Sequence, residues 1–327
     1  MQFTPAEKLH YLMTALPHFP SQNGGGISSA YNYYLHAIYR IRMKLAQKIA
    51  INYTLSKLHI LALVSKRKAA KKALDIFFSP RLRSGKKAAP IFGKGEKLTF
   101  SLRRHRIRGY RWLPGNKNEL PVKKVLILHG FESSIKKFDQ YINGFINKGY
   151  EVLAFDAPAH GESGGRKITL PLYVEMIKTI FQLYGPVQSF LAHSLGGLAA
   201  VHFLESQPQN KEFRLVLIAP ATETNTSVNL FFEYLQLDEE VRKEFDRLIL
   251  QKTEHPIEYF SIRRAAKKLK GPLLWFHDEE DLITPLSDVL RVKEENLKNI
   301  KFIFTKGLGH RNIYRDAMVT KEAIDFL

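Results

Sequence analysis

The chain has 327 residues and carries 50 Lys and Arg against 31 Asp and Glu, a formal charge of +19, with 45% of its residues hydrophobic. That hydrophobic content is enough for a globular core, and the length suits one large domain with an extension. The absence of cysteine excludes disulfides, thiol catalysis and thiolate metal sites together.

The charge is localised. Residues 1–120 hold 23 Lys or Arg against four acids (Glu7, Asp75, Glu96 and Glu119), whereas residues 121–327 hold 27 of each sign. Met1 to Pro20 lacks a cationic start followed by a clean apolar stretch, so it does not read as a secretory signal. Gly24-Gly25-Gly26 lacks the Lys and Ser or Thr of a phosphate loop. Tyr31 to Phe78 is free of Pro and Gly and rich in Tyr, Leu, Ile and Ala, which predicts one long helix or two shorter ones, stopped by Pro80. Leu45 to Val64 has the length of a membrane span but contains Lys48 and Lys57, each costing roughly 2.5–3.5 kcal/mol near mid-bilayer. Lys66-Arg67-Lys68 and Lys71-Lys72 close the apolar stretch. Three readings of this basic segment compete. Its apolar side packs on the rest of the protein, or it lies on an anionic membrane surface, or it meets nucleic acid, which no recognised binding motif supports. Residues 1–97 are therefore expected to form a basic, mainly helical N-terminal extension and linker, and residues 98–327 the main domain.

Two strands, Leu98–Leu102 and Ile107–Leu113, are predicted to open that domain. Short apolar runs follow at Val125–Leu128, Val152–Phe155, Val187–Leu191, Leu215–Ile218, Leu273–Phe276 and Phe302–Phe304, alternating with helical stretches such as Phe138–Asn147, Tyr173–Leu183, Leu195–Leu204 and Asp288–Leu297. Continuous apolar strands separated by helices indicate an α/β fold with a buried parallel sheet and right-handed crossovers. The interval from Pro220 to Gly271, roughly fifty residues, is too long for a plain crossover. Residues 221–270 are expected to form a helical cap, whose Phe231, Phe232, Tyr234, Phe245, Tyr259 and Phe260 serve ordinary packing or line an acyl pocket.

The chemistry-bearing residues follow the late strands. Ala192-His193-Ser194-Leu195-Gly196-Gly197 comes directly after an apolar run and before a helical one, with small residues two places on either side of Ser194. That is the pattern of a nucleophile elbow, which crowding closes to large side chains; a helix-capping serine is the simpler alternative. A serine needs a base to accept its proton, and a histidine held by a carboxylate serves best. In the required order, an acidic turn (Asp278, Glu279, Glu280, Asp281) follows one strand and His310 follows the last. Asp281 is the expected acid because it lies in the turn, with Thr284 placed to cap the next helix; Asp278 is the second choice and Glu223 the third. The oxyanion of a tetrahedral intermediate needs backbone N–H donors. The Leu195 amide and the Phe131 amide, in the loop after Leu128, are the candidates, with Gly130 allowing the sharp turn. His129 reads as a structural strand-end residue.

From Lys124 to Leu327 the chain resembles the α/β-hydrolase family, particularly bacterial serine hydrolases of the esterase, monoacylglycerol-lipase and aminopeptidase-like branch. The resemblance rests on Leu128-His129-Gly130-Phe131, on Phe155-Asp156-Ala157-Pro158-Ala159-His160-Gly161-Glu162-Ser163, on the Ser194 elbow, on the Asp281 turn and on His310. It implies the α/β-hydrolase fold, a mainly parallel sheet with helices on both faces, and a triad of Ser194, Asp281 and His310. It does not imply a substrate. The expected function is hydrolysis of a carboxylic ester, lipid-derived or thioester included, through an acyl-enzyme. An amide or peptide hydrolase, or a non-catalytic membrane-associated binding protein on a hydrolase scaffold, is the alternative. The expected partner is a small-molecule acyl ester, with an anionic membrane surface as a further partner of the extension and no nucleic acid. No cofactor or metal is expected, and the expected location is the cytoplasm, at the inner membrane surface if the extension binds lipid.

Overall fold

Strands buried on both sides must be apolar at every position, and the alternation of their side chains then divides one sheet between two cores. The computed structural model, which describes residues 45–81, 88–115, 122–208 and 210–327, has this construction. Among the described residues eight strands form one sheet: β1 (Glu96–Leu102), β2 (His105–Trp112), β3 (Lys124–Leu128), β4 (Glu151–Phe155), β5 (Ser189–His193), β6 (Arg214–Ile218), β7 (Leu273–Asp278) and β8 (Ile300–Thr305), in the order β1-β2-β4-β3-β5-β6-β7-β8. β1 and β2 are antiparallel, and β2 also joins β4 antiparallel; the ladders from β4 through β8 are parallel.

Leu126, Leu128, Leu153, Phe155, Phe190, Leu215, Leu217 and Trp275 point to one core. Val125, Ile127, Val152, Ala154, Leu191, Val216, Ile218 and Phe276 point to the other. The helices before the cap are α1 (Leu45–Val64), α2 (Lys66–Phe77), α3 (Asp139–Asn147), α4 (Leu170–Tyr184) and α5 (Leu195–Glu205); α6 (Thr224–Leu235), α7 (Glu239–Thr253) and α8 (Ile262–Ala266) fill the interval expected to be a cap; α9 (Leu286–Glu294), α10 (Gly309–Asn312) and α11 (Ala317–Phe326) follow. α4, α5 and α9 cover the first core, and α3 and α11 the second. α5 is buried almost all round, from Gly196 to Leu204, which marks it as the central helix.

Several predicted boundaries move, those of two elements for evident physical reasons. β5 begins at Ser189 rather than Val187, because pairing starts only where Val125 of β3 meets Ser189. α9 begins at Leu286 and ends at Glu294, ahead of the expected Asp288–Leu297, because Pro285 lies extended immediately before it. Ser56–Leu327 is a compact unit distinct from Met1–Leu55. Within it α2 lays Ala69, Ala70, Ala73 and Leu74 inward and packs on α7, and Phe77 meets Phe231 and Phe245 edge to face at 5.1 and 5.9 Å. The cap aromatics Phe231, Phe232 and Phe245 thus pack on one another and on Phe77. The predicted helix over residues 31–44 lies outside the described residues.

Candidate active site

Ser194 stands between the end of β5 and the start of α5 with φ 54° and ψ −123°, a conformation that L-residues rarely adopt and that tight turns at reactive positions tend to hold. Crowding explains the small residues around it. A Cβ on Gly196 would lie 2.6 Å from the Leu128 carbonyl oxygen, and one on Gly130 would lie 2.7 Å from Ser194 Cβ. Ala192 is fully buried between Leu128 of β3 and Leu217 of β6, so the methyl group fits.

His310 is the second residue of α10, just past β8, and Asp281 lies in the turn after β7. Parallel pairing of β5, β6, β7 and β8 brings their carboxyl ends to one edge, where α/β sheets place their sites. There His310 Nε2 is 3.0 Å from Ser194 Oγ, and His310 Nδ1 is 2.8 Å from Asp281 Oδ2. Because an ionised carboxylate only accepts, Nδ1–H donates to Asp281 and Nε2 is left to accept the Ser194 O–H. Asp281 Oδ1 accepts the Ile283 and Thr284 N–H groups at 2.8 and 2.9 Å, and Oδ2 accepts the Thr284 hydroxyl at 2.8 Å. Burial would push this carboxyl up, but the bonds from His310 and Thr284 prevail and hold it below the usual carboxylate range. Thr284 therefore binds Asp281 instead of capping α9, whose first turn receives no side-chain cap.

The other two acids point elsewhere. Asp278 Oδ2 accepts from Thr305 Oγ1 at 2.7 Å and from the Leu308 N–H at 3.0 Å, so it ties the loop that carries His310 to the acid turn. Glu223 Oε1 accepts from Ser261 Oγ at 2.9 Å, where the chain enters and leaves the cap.

The loop after β3 is held by two buried histidines. His129 Nδ1–H donates to the Gly130 carbonyl at 2.8 Å while Nε2 accepts the Ala157 N–H at 2.9 Å. His160 Nδ1–H donates to the Pro158 carbonyl at 2.9 Å while Nε2 accepts the Glu132 N–H at 3.0 Å. Burial holds both rings down at about 4, so they are neutral, and only the neutral ring can accept these N–H groups. Glu132 has φ 51°, and its carboxylate accepts the Arg81 N–H at 2.9 Å. Phe131 meets the His160 ring edge to face at 5.5 Å. Among the described residues, neither the Leu195 nor the Phe131 N–H has a hydrogen-bond acceptor in the protein.

Sequence reasoning gave no site role to His160 and His193, and it read Thr284 as a helix cap rather than as the partner of Asp281. His193 Nε2–H donates to the His310 carbonyl at 3.1 Å, and burial together with the neighbouring His310 ring holds His193 well below the usual imidazole range. Its place directly before Ser194 was the available signal. Among the described residues no group of three or more metal-ligating side chains could hold a metal ion.

The sheet order and the helices on both faces are those of the α/β-hydrolase fold. Residues 119–254 match the family model described as serine aminopeptidase, S33. An esterase from Pyrococcus furiosus is similar over 76% of this chain and 97% of its own, at 20% identity and TM-score 0.57. Est1E from Butyrivibrio proteoclasticus, solved with ferulic acid bound, is similar over 70% and 97%, at 18% identity and TM-score 0.55. Mouse alpha/beta hydrolase domain-containing protein 10 is similar over 70% and 96%, at 18% identity and TM-score 0.52. No curated protein sequence matches the chain at a significant level.

Proposed function

We propose that this protein hydrolyses a carboxylic ester through an acyl-enzyme formed on Ser194. The observation that carries the reading is the unbroken path from Ser194 Oγ through His310 to Asp281, at 3.0 and 2.8 Å. Nε2 of His310 takes the hydroxyl proton as Oγ attacks the acyl carbon, and Asp281 stabilises the imidazolium that forms. The Leu195 and Phe131 amides hold the oxyanion, a role in which one donor commonly contributes on the order of a hundredfold or more in rate. His310 then gives its proton to the departing alcohol, and water hydrolyses the acyl-enzyme by the same path in reverse. Solved relatives described as an esterase, as a protein holding ferulic acid and as a thioesterase domain support an oxygen or sulfur acyl ester as the substrate class.

The test is labelling by a fluorophosphonate probe combined with turnover of p-nitrophenyl esters of graded chain length and of aminoacyl p-nitroanilides. Stoichiometric labelling that disappears in Ser194→Ala, with ester turnover exceeding anilide turnover, is the expected result. Labelling that survives in Ser194→Ala overturns the nucleophile, and preferential anilide cleavage overturns the ester.

A further inference from the structure

α1 from Ser56 onward and α2 turn their inward sides to the same body. On α1, Leu58 and Ala62 are buried and His59 Nε2 donates to the Leu235 carbonyl at the end of α6; on α2, Ala69, Ala70, Ala73 and Leu74 are buried. Their opposite sides therefore both face away from that body. On α1 that side carries Ile60, Leu63 and Val64, exposed at 63%, 85% and 75%. Lys57, Ile60 and Val64 form a single stripe at i, i+3 and i+7. Large aliphatic side chains so exposed and so close together are what a soluble surface normally avoids.

Most of the charges next to them have no ion-pair partner among the described residues. Lys66 pairs with Asp238 at 2.5 Å, and Asp75, the acid of α2, pairs with Lys167 at 2.5 Å. Lys57, Arg67, Lys68, Lys71 and Lys72 are exposed, and among the described residues none of the five has an ion-pair partner. Apolar side chains beside free cations, on helices that pack by their other side, make the surface that settles on an anionic bilayer: the aliphatics enter the headgroup boundary and the long basic side chains reach the phosphates. No described helix is long and apolar enough to cross a membrane. We propose that this outward face is a docking surface for an anionic lipid bilayer. A nucleic acid would use the cations and leave the aliphatics in water. A second copy of the chain would bring five positive charges against five.

The docking is independent of the ester chemistry, and its test is binding alone. The full chain is sedimented with phosphatidylcholine vesicles, with and without phosphatidylglycerol, at low and high salt, beside two variants. One replaces Arg67, Lys68, Lys71 and Lys72 with Gln; the other replaces Ile60, Leu63 and Val64 with Ser. All seven positions are exposed or half-exposed on solvent-facing sides, so both variants fold, and circular dichroism checks this. The expected result is selective, salt-sensitive binding to the anionic vesicles that falls at least about tenfold in each variant. Equal partitioning of the three proteins overturns the proposal. So does loss in the Gln variant with no loss in the Ser variant, together with equally tight binding of duplex DNA, because the cations would then be reading a polyanion.

Discussion

Asp281 and Asp278 are two carboxylates three residues apart in one turn, and hydrogen-bond geometry gives them different work. Asp281 faces Nδ1 of His310, whereas Asp278 is spent on Thr305 and Leu308. Asp281→Asn is expected to lower kcat by several orders of magnitude, because an amide in place of the carboxylate favours the wrong imidazole tautomer. Asp278→Asn keeps an acceptor for Leu308 and is expected to cost less than tenfold. Ester turnover of the two purified variants at neutral pH checks this; the reverse ranking would give the orienting role to Asp278. The turn position of Asp281 was readable in the sequence, but Thr284 was not readable as its partner, because which way a hydroxyl points depends on where the turn places the carboxylate.

At the scale of elements, α2 reaches α7 through small residues. Ala69, Ala70 and Ala73 are completely buried, and small side chains there let two helices approach closely. Ala70→Leu is expected to destabilise the protein by about 1–3 kcal/mol through overpacking, whereas Lys71→Gln on the exposed side is expected to stay within about 0.5 kcal/mol. Urea unfolding of both variants measures the difference, and equal midpoints would mean that α2 does not bear on the cap. The Pro- and Gly-free run from Tyr31 to Phe78, ended by Pro80, announced helix here in the sequence. Its partner was not announced, since Phe77 and Phe231 are far apart in the chain and meet only when the cap is folded.

At the scale of the molecule, stability depends on histidines buried neutral. His129 and His160 are held at about 4 against an ordinary value of 6.5, and burial lowers His193 and His277 in the same direction. A histidine lowered in the folded state binds fewer protons than in the unfolded chain. The stability it contributes is therefore full above pH 6.5 and is lost as pH falls toward 4, by about 3 kcal/mol each for His129 and His160. Burial raises Asp156, Glu223 and Asp288, which act with the opposite sign nearer the carboxylate range. Tm is expected to fall steadily from pH 6.5 to 5, and His160→Gln, which keeps an acceptor without a titrating ring, is expected to flatten the slope. Scanning calorimetry across that interval decides; a Tm that is level or rises on acidification would show the carboxyls to dominate.

By itself the sequence determined what depends on local order along the chain: the succession of apolar strands and helices, the small residues flanking Ser194, the acid turn and the late histidine, and the confinement of excess charge to residues 1–120. Each is a statement about neighbours in sequence, where periodicity, turn chemistry and spacing act directly. Tertiary structure alone decided that Ser194, Asp281 and His310 come within hydrogen-bond reach, since parallel pairing of β5 through β8 must first bring three separated strand ends to one edge. It also decided that His160 clamps the Glu132 amide, and that Lys66 pairs with Asp238 and Asp75 with Lys167 while, among the described residues, Arg67, Lys68, Lys71 and Lys72 have no ion-pair partner. Such pairings are set by distances between residues far apart in the chain, and those distances exist only once the sheet and the cap have closed.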